Sequence, residues 1–525
     1  MNPDALRHED RYVRLPSALV GVLSAAVAVG VGEFVAAFVR PAAAPVIAVG
    51  NALILLTPEN AKREAIGSVG TNDKTYLIVG ILVLLTLFGA VVGELARRRL
   101  SYGLAGVGVF AAFGVFCALY ANASRATDVI PTLVGAVAAA VTLALLTKAL
   151  DRAEAAGSGA TARRTFLLGG AGAAALAAVT GFGGRAAQHA RFDVADERNK
   201  IALPEPKAGP VVPRGADLGR SGLPWATPAG AFYRIDTALS VPQISSHDWQ
   251  VRIHGMVDRP LTLTYAQLLK RPMIERWITL CCVSNPVGGN LISNAYWQGT
   301  RLADLLREAG IHDDSDQLLL TSSDGMTIGA PTQVVMDGRD ALLAIGMNGA
   351  PLPLEHGFPV RVVVPGLYGY VSACKWVVDI KATTFAAEQA YWVQGGWVSG
   401  QLETRINLMS RIDTPRSGRS VPAGRPVAIA GIAWDQHVGV SKVEVQIDDG
   451  AWQPARLATV PSTDTWRQWV LSWTPPKAGT YRVRVRATDA KGVQQTGQAE
   501  GVFPSGATGW HTITVQAMSP QRLRS

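Results

Sequence analysis

Residues 277–289 read WITLCCVSNPVGG, an apolar run that reaches two cysteines and then breaks into polar and glycine residues. A short apolar run that ends in turn residues is typical of a buried strand. The pattern therefore predicts a strand that delivers a thiol to a loop, where a thiolate can bind a soft metal ion. The residues alone leave a second interpretation open, in which Cys281 and Cys282 are ordinary buried core cysteines.

A second stretch, residues 347–376, reads MNGAPLPLEHGFPVRVVVPGLYGYVSACKW. A cysteine loop, then an NGxPLPxxHGxPxRxVVPG run, then a Lys-Trp pair resembles the molybdopterin domain of the sulfite oxidase family. The likeness runs over about residues 232–509, more than half of the chain. It implies that Cys282 ligates the molybdenum of a molybdopterin cofactor, and that Cys281 is its neighbour inside the strand.

The start of this region carries the next part of the resemblance. Phe232, Tyr233 and Arg234 match a Phe-x-Arg segment that contacts the pterin and the substrate pocket. Ile235 and Asp236 depart from the Asn-His of the animal and plant oxidases, so the resemblance assigns no role to them. From the residues alone, Arg234 could equally belong to a surface ion pair, which usually stabilises little.

Three later segments complete the implied cofactor site. Asp324 matches an acidic residue that bonds the pterin, although by local sequence it also fits an Asp-Gly turn. His356 and Arg361 resemble a phosphate site, for which arginine supplies a planar fork of donors. The last segment would place an ammonium near the phosphate or dithiolene and would add a backbone contact with a packed thiol; its residues are Ala373, Cys374 and Lys375.

Composition indicates a membrane portion and excludes some classes of protein. The chain has 525 residues, of which 48% are hydrophobic and only 17% charged, which is too apolar for an all-soluble enzyme. The formal charge is +9, but the arginines are spread along the chain and no basic run carries interleaved aromatic residues. We therefore expect no nucleic-acid partner.

The cysteines and histidines argue against a disulfide framework and against haem. Only four cysteines occur, and three of them lie in the segments described above. No C-x-x-C-H motif is present, which excludes covalent c-type haem. No histidine lies within the predicted membrane spans, so a b-type haem is not expected either.

The first part of the chain predicts five membrane spans, at residues 15–39, 76–95, 102–120, 130–150 and 166–182. A further apolar run at residues 42–56 is short and is interrupted by Pro45 and Gly50, so we interpret it as re-entrant or interfacial. With five spans, all the basic clusters flanking them face the cytoplasm. This topology predicts a multi-pass protein of the cell membrane whose later domains lie outside the cytoplasm.

The last predicted span begins ARRTFLL at residues 162–168 and resembles a twin-arginine export signal inside the chain. Arg163 and Arg164 could also be ordinary flanking charges. The export interpretation agrees with the expected chemistry, because a domain loaded with a pterin in the cytoplasm would cross the membrane already folded. We expect the signal to stay in place as an anchor.

The sequence predicts a multi-domain fold with four parts. An α-helical membrane region at residues 1–185 is followed by a Pro/Gly-rich extended linker at 186–229 and an α+β molybdopterin domain at 230–408. Residues 409–517 alternate apolar and polar residues and predict an all-β immunoglobulin-like sandwich. This last domain resembles the dimerisation domain of the family, and its tryptophans favour a homodimer.

These features predict a membrane-anchored molybdenum oxidoreductase. It would move one oxygen atom to or from a small substrate such as a sulfur compound, with two electrons, and it would need an electron-transfer partner that the sequence does not identify. One alternative is a reductase of sulfoxides or other oxidised sulfur or nitrogen compounds. An alternative of another class is a cofactor-free binding protein outside the cytoplasm.

The cysteine loop bears on the substrate. Sulfite-oxidising members of the family carry a Cys-x-Gly-Asn-Arg-Arg run, whereas residues 282–287 read CVSNPV and contain no arginine. Arg234 alone would hold a doubly charged oxyanion less well than two arginines would, and Tyr391 beside Trp392 is expected to add a hydroxyl. We therefore expect sulfite to be a poor substrate and the natural one to be less charged or bulkier.

Overall fold

The computed structural model describes residues 3–62, 64, 72–156, 160–206, 211–220, 222–397 and 405–519. The chain divides into two compact units. Unit 1 contains Met1–Val194 with Thr237–Gln243, and unit 2 contains Ala195–Asp236 with Ile244–Ser525.

Unit 1 is helical. Its helices are α1 (Pro3–Val39), α2 (Pro45–Leu56), α3 (Asp73–Arg98), α4 (Leu100–Tyr120), α5 (Ile130–Ala155) and α6 (Ala160–Phe192). By length and apolar composition, five of the described helices could cross a membrane, in agreement with the number expected from the sequence. The exception is α2, whose 12 residues rise about 18 Å and fall short of a hydrocarbon core of about 30 Å.

Helix α1 is the centre of unit 1 and packs against α3, α5 and α6. Small residues permit this packing, since a Cβ atom on Gly21 would collide with the carbonyl of Gly89 on α3. Two pairs of polar side chains within the unit are bonded to each other, as burial in a membrane favours. Gln188 donates a hydrogen bond to the carboxylate of Glu33 at 3.2 Å, and Arg40 pairs with Asp128.

The segment after the last span differs from the expected extended linker. Helix α6 continues to Phe192, and a short helix α7 (Ala195–Lys200) follows it. Residues 183–200 are rich in Ala, Arg and other good helix formers, and the prolines that keep a chain extended begin only at Pro204. The later part is not a free tether, because Trp225 is buried and the backbone N–H of Leu218 donates to Gln468 within unit 2.

The first half of unit 2 is the α+β domain. Its strands are β1 (Gln250–Gly255), β2 (Leu261–Thr264), β3 (Ile274–Cys281), β4 (Ile292–Arg301), β5 (Gln317–Ser322), β6 (Thr327–Pro331), β7 (Leu342–Met347), β8 (Ala350–Pro351), β9 (Arg361–Val363) and β10 (Val377–Thr383). Its helices are α8 (Tyr265–Leu268), α9 (Leu302–Ala309), α10 (Thr332–Met336) and α11 (Tyr391–Gln394). One sheet has the order β2-β1-β10-β5-β6 and the other the order β3-β4-β7-β8, with β9 paired to β7.

Strand β3 places the cysteines. Nearly all of its side chains are buried, which explains its continuous apolar sequence. It pairs antiparallel with β4, with Cys281 opposite Ile292 in the register. The strand therefore ends at Cys281, and Cys282 is the first residue of the loop.

The second half of unit 2 is an all-β sandwich, which confirms the predicted immunoglobulin-like domain. Its strands are β11 (Met409–Thr414), β12 (Ser420–Pro422), β13 (Val427–Trp434), β14 (Val440–Ile447), β15 (Gln453–Pro454), β16 (Arg456–Leu457), β17 (Arg467–Trp473), β18 (Gly479–Asp489) and β19 (His511–Met518). They form two sheets with the orders β11-β13-β17-β16 and β12-β19-β18-β14-β15. Apolar side chains alternate inward along β18 and β19 and close the core between the sheets.

Candidate active site

The loop after β3 turns back on itself and fixes the backbone of Cys282. The backbone N–H of Cys282 donates to Leu291 at 2.9 Å, and its carbonyl accepts the N–H of Asn285 at 3.0 Å. The side-chain oxygen of Asn285 accepts the N–H of Leu291 at 2.8 Å and closes the loop. The Cys282 thiol is therefore held in one place, in a site that is only 8% exposed.

The surroundings of Cys282 suit a thiol that ionises only when it gains a cation. Burial raises its pKa, while hydrogen bonds from the backbone and hydroxyl of Ser284 oppose this effect and favour the thiolate. A metal ion would supply the missing positive charge and hold the thiolate form. Cys281 differs, because burial and the neighbouring Cys282 raise its pKa well above the usual value.

Two tyrosines, Tyr233 and Tyr368, lie near enough to the two cysteines to interact with them electrostatically. Burial and the proximity of Cys281 and Cys282 raise the pKa of both phenols, so each keeps its proton at neutral pH. Phe232 lies beneath Tyr233, with ring centroids 5.4 Å apart, and meets His356 edge-on at 5.4 Å. Sequence reasoning named Phe232 and Tyr233 but missed Tyr368, although Tyr368 lies in the second diagnostic stretch.

Asp236 joins two of the expected cationic residues. Its carboxylate lies 2.9 Å from the Nε of Arg234 and 2.7 Å from the Nζ of Lys375, and its side chain is only 3% exposed. Arg234 is 39% exposed and keeps part of its guanidinium toward solvent. Sequence reasoning noted Asp236 only as a departure from the family; an acidic residue there, close to Arg234, was the available signal.

A buried cationic wall is formed by Arg361 and Lys375, and His356 contributes a neutral ring beside Arg361. The guanidinium of Arg361 donates to the carbonyls of His356 at 3.0 Å and Ala373 at 3.4 Å, and it lies over the ring of Trp297. Burial lowers the pKa of Arg361 to about 10 and that of Lys375 to about 8, so both are charged at neutral pH. Burial and Arg361 lower the pKa of His356 to about 4, so its ring is neutral there and its Nε2 bonds the carbonyl of Ala229.

This wall fits a polyanionic pterin cofactor. Within the described ranges, no carboxylate pairs with Arg361, and its buried Nε has no hydrogen-bond partner. The buried hydroxyls of Ser322 and Ser323 also lack partners, at the turn between β5 and β6. A buried cation and orphaned hydroxyls are costly unless an anionic, hydrogen-bonding group occupies the space beside them.

The remaining predicted residues lie in two places. Asp324 caps the same β5–β6 turn by accepting the backbone N–H of Met326 at 3.2 Å, and its charge helps to raise the pKa of the buried Cys374 thiol. Tyr391 begins helix α11; its backbone N–H donates to Thr327 and its ring meets Trp392 edge-on. Asp324 and the cations Arg361 and Lys375 thus all lie near enough to the Cys374 thiol to affect its pKa. The contacts described for Tyr391 are instead with Trp392 on α11 and Thr327 on β6.

The site presents one thiol ligand rather than a protein-built metal cage. Among the described residues, no group of three or more His, Cys, Asp or Glu side chains could hold a metal ion. A metal bound by Cys282 would therefore need most of its ligands from a cofactor. The arrangement can bind a large anion through Arg361 and Lys375, and Tyr233 lies within electrostatic reach of both Arg361 and the Cys282 thiol.

Comparison with known proteins agrees with both halves of unit 2. Residues 238–392 match the family described as oxidoreductase molybdopterin binding domain, and residues 410–515 match the bacterial Ig domain. The chain is 31% identical to sulfite oxidase of Gallus gallus over 287 residues, which are 46% of this chain and 62% of that protein. It therefore spans less than two thirds of that relative.

One further relative and one solved structure cover different shares of this chain. The chain is 32% identical over 149 residues to the uncharacterized oxidoreductase YuiH of Bacillus subtilis, covering 28% of this chain and 72% of YuiH. Among solved structures, the sulfane dehydrogenase SoxCD from Paracoccus pantotrophus aligns with a TM-score of 0.47 and 23% identity, covering 55% of this chain and 84% of that one.

Proposed function

Because this chain belongs to the sulfite oxidase family of molybdopterin-binding oxidoreductases, we propose that it is a membrane-anchored enzyme of two-electron oxygen-atom transfer. Its substrate would be a small sulfur compound. The observation that carries the proposal is a buried cationic wall of Arg361 and Lys375 together with a buried loop thiol, Cys282, with Tyr233 within electrostatic reach of both Arg361 and Cys282. That combination supplies a binding site for an anionic cofactor and one protein ligand for its metal.

When bound, molybdenum–molybdopterin supplies the redox centre at which an oxygen atom and two electrons are exchanged with the substrate. In the oxidative direction, water provides the oxygen atom, and two electrons and two protons leave. The side chains of this chain bind and orient: Cys282 as the metal ligand, and Arg361, His356 and Lys375 along the pterin phosphate. Ser322, Ser323 and Asp324 would complete the polar contacts on the other side.

The substrate side of the site favours a weakly charged molecule. The phenols of Tyr233 and Tyr368 keep their protons and offer neutral hydrogen-bond donors, and Pro286 and Val287 stand where arginines stand in sulfite-oxidising relatives. Arg234 is the exposed cation near them, and Asp236 partly neutralises it. We therefore propose a neutral or singly charged sulfur compound as the substrate, with Tyr391 as a further hydroxyl at the edge of the site.

Reduction of a sulfoxide is the second candidate. The same neutral donors, Tyr233 and Tyr368, suit a sulfoxide oxygen, which accepts hydrogen bonds without carrying a full charge. A cofactor-free binding protein is disfavoured, because such a protein would leave the guanidinium of Arg361 buried with no counter-ion.

Unit 1 supports a place in the cell membrane. Five of the described helices could cross a membrane, and the twin arginines Arg163 and Arg164 are exposed near the start of α6. We propose that unit 2 is exported folded and works outside the cytoplasm, with electrons passing to or from a separate partner. The sandwich is proposed to pair with a second copy of the chain.

Metal analysis of the purified full-length chain tests the proposed function. We expect about one molybdenum per chain, and turnover of a reduced or oxidised sulfur compound with an artificial electron carrier. The test variant is Arg361→Met, which removes the buried cation at similar side-chain length. This variant should lose most of the molybdenum that the wild-type chain binds. A wild-type chain without molybdenum would contradict the proposal.

A further inference from the structure

The immunoglobulin-like sandwich contacts the cysteine loop directly. Arg411 on β11 donates a hydrogen bond from its Nη1 to the carbonyl of Gly289. Its Nε donates to Asp413 at 2.7 Å, and only 7% of its side chain is exposed. Two arms of one guanidinium therefore join the sandwich to the loop that follows Cys282.

A second contact lies one residue earlier in the same loop. The Nε2 edge of His511 on β19 lies so close to Gly288 that any Cβ atom there would collide with the ring. The Nδ1 of His511 accepts the backbone N–H of Ile412 at 3.0 Å, which fixes the orientation of the ring. Gly288 also has φ of 76°, so both its conformation and its space require glycine.

The sandwich also supports strand β3, which precedes the loop. The backbone N–H of Thr279 donates to the carbonyl of Asp464 at 2.9 Å, and the hydroxyl of Thr279 accepts the N–H of Trp466 at 2.8 Å. The thiol-bearing segment is therefore bonded to the second domain on both sides of Cys281 and Cys282. A domain that served only as a spacer or for dimerisation would need none of these contacts.

Arg411 is placed to hold the loop rather than to bind a substrate anion. Asp413 balances its charge, and Gly289 uses one of its donors. Its buried fork leaves little of the guanidinium for a ligand. Arg411 is thus not a substitute for the arginines missing from residues 286 and 287.

We propose that Arg411 and His511 are positioning residues, which hold Gly288–Gly289 so that the Cys282 thiol stays at the cofactor site. The proposal rests on the proposed function in taking Cys282 as the metal ligand. It assigns the sandwich a part in the active site of its own chain. Loss of either the Arg411 contact or the His511 contact would loosen the loop, with little change in the rest of unit 2.

The first test needs no cofactor. Full-length chain purified without molybdenum is treated with iodoacetamide, and alkylation of each cysteine is followed by mass spectrometry. We expect Arg411→Gln to speed alkylation of Cys282 by about tenfold or more, because loss of a charge-assisted bond shifts local opening by that order. Arg456→Gln, an exposed arginine on β16, is the matched control and should leave the rate unchanged within about twofold.

Cys374 is the internal reference, since it is buried in the same unit away from the sandwich contacts. If its alkylation rises in parallel with that of Cys282, the variant has loosened the whole fold, and the positioning role is rejected for that variant. Arg411→Lys then provides the milder change, because lysine keeps the charge but lacks the planar fork that reaches both Gly289 and Asp413. An unchanged Cys282 rate in Arg411→Lys and Arg411→Gln would overturn the proposal.

The second test uses the loaded enzyme and separates positioning from anion binding. We expect Arg411→Lys to shift the thiolate-to-molybdenum absorption band and to lower kcat, with little change in KM. A raised KM with an unaltered band would instead assign Arg411 to the substrate. If wild-type chain holds no molybdenum, the proposed function fails while the alkylation result still decides the positioning role.

Discussion

The ammonium of Lys375 lies 2.7 Å from the carboxylate of Asp236, and the Nε of Arg234 lies 2.9 Å from the same carboxylate oxygen. One buried carboxylate thus orients two cations of the expected cofactor and substrate site. Burial lowers the pKa of Lys375 to about 8, and Asp236 opposes that shift. Lys375 is therefore charged at neutral pH but close to losing its proton.

The titration of Lys375 predicts pH-dependent cofactor binding. Below about pH 8 its ammonium attracts the anionic cofactor, and above that pH the charge is lost, so binding by cofactor-free chain should weaken as pH rises through about 8. Lys375→Arg keeps its charge and should bind with little pH dependence, whereas Lys375→Met should bind about tenfold or more weakly than wild type below pH 8 and should show no such pH dependence. Molybdopterin binding measured on both sides of pH 8 checks this; equal wild-type affinity at both would contradict it.

Asp236 should act through the same lysine. In Asp236→Asn the opposing charge is gone, so the pKa of Lys375 should fall further and the loss of binding should begin at lower pH. Asp379 pairs with His254 on β1, outside the site, and Asp379→Asn serves as the control that should leave the pH profile unchanged. Identical pH profiles for Asp236→Asn and wild type would contradict the role given to Asp236.

Much of this architecture could be predicted from the sequence because its signals are local. The apolar run that ends at Cys281 predicted strand β3, and the alternation of apolar and polar residues after residue 409 predicted the sandwich. The number of spans followed from the length of the apolar runs and from the positions of the basic clusters that flank them. These features depend on periodicity within one short segment.

The features that escaped prediction are long-range or depend on context. The bond from Arg411 to Gly289 joins residues 122 positions apart, and no period in either segment indicates it. The prediction of an extended linker at residues 186–229 did not anticipate the helices up to Lys200. It rested on the Pro and Gly content of the whole range, although the prolines begin only at Pro204. Asp236 was noticed as a departure, but only packing showed that it faces Lys375.

The twin arginines should decide export of unit 2. Arg163→Lys with Arg164→Lys keeps both charges, so ordinary positive-inside flanking would be unaffected, whereas recognition of a twin-arginine signal should be lost. We expect the double variant to leave the catalytic domain on the cytoplasmic side in a protease-protection assay. Arg97→Lys with Arg98→Lys is the matched control. Unchanged exposure of the domain outside the cell would show that the arginines are only flanking charges.

Sulfite should be a poor substrate. With no arginine at residues 286 and 287, and with Asp236 bonded to Arg234, we expect a Michaelis constant for sulfite near or above about 1 mM, the upper end of the usual range. Steady-state kinetics with an artificial electron acceptor provides the measurement, and a neutral sulfoxide assayed with an artificial donor provides the comparison. A low-micromolar constant with rapid turnover would place the protein among the sulfite-oxidising enzymes.

A homodimer through the sandwich is a further prediction, but its basis has changed. Two tryptophans of the sandwich, Trp466 and Trp469, are buried inside the same chain and are not available to a second copy. The rings of Trp452 and Trp510 meet at 5.0 Å and are both half-buried, so this pair offers an aromatic surface that a second copy could cover. Sedimentation of full-length chain in detergent should give a dimer, and Trp452→Ser should weaken it more than Arg456→Ser does. A monomeric wild type at micromolar concentration would count against the prediction.

Ligation of molybdenum by Cys282 is the central claim. A comparison of two single substitutions, at Cys282 and at Cys281, tests it most directly. A hydroxyl is a harder and less readily ionised donor than a thiol, so Cys282→Ser should abolish turnover and the thiolate-to-molybdenum absorption band. Cys281→Ser, one residue away and still inside β3, should keep both. Absorption spectra and turnover of the two variants, compared at equal molybdenum content, give the answer. Full activity and an intact band in Cys282→Ser would contradict the account.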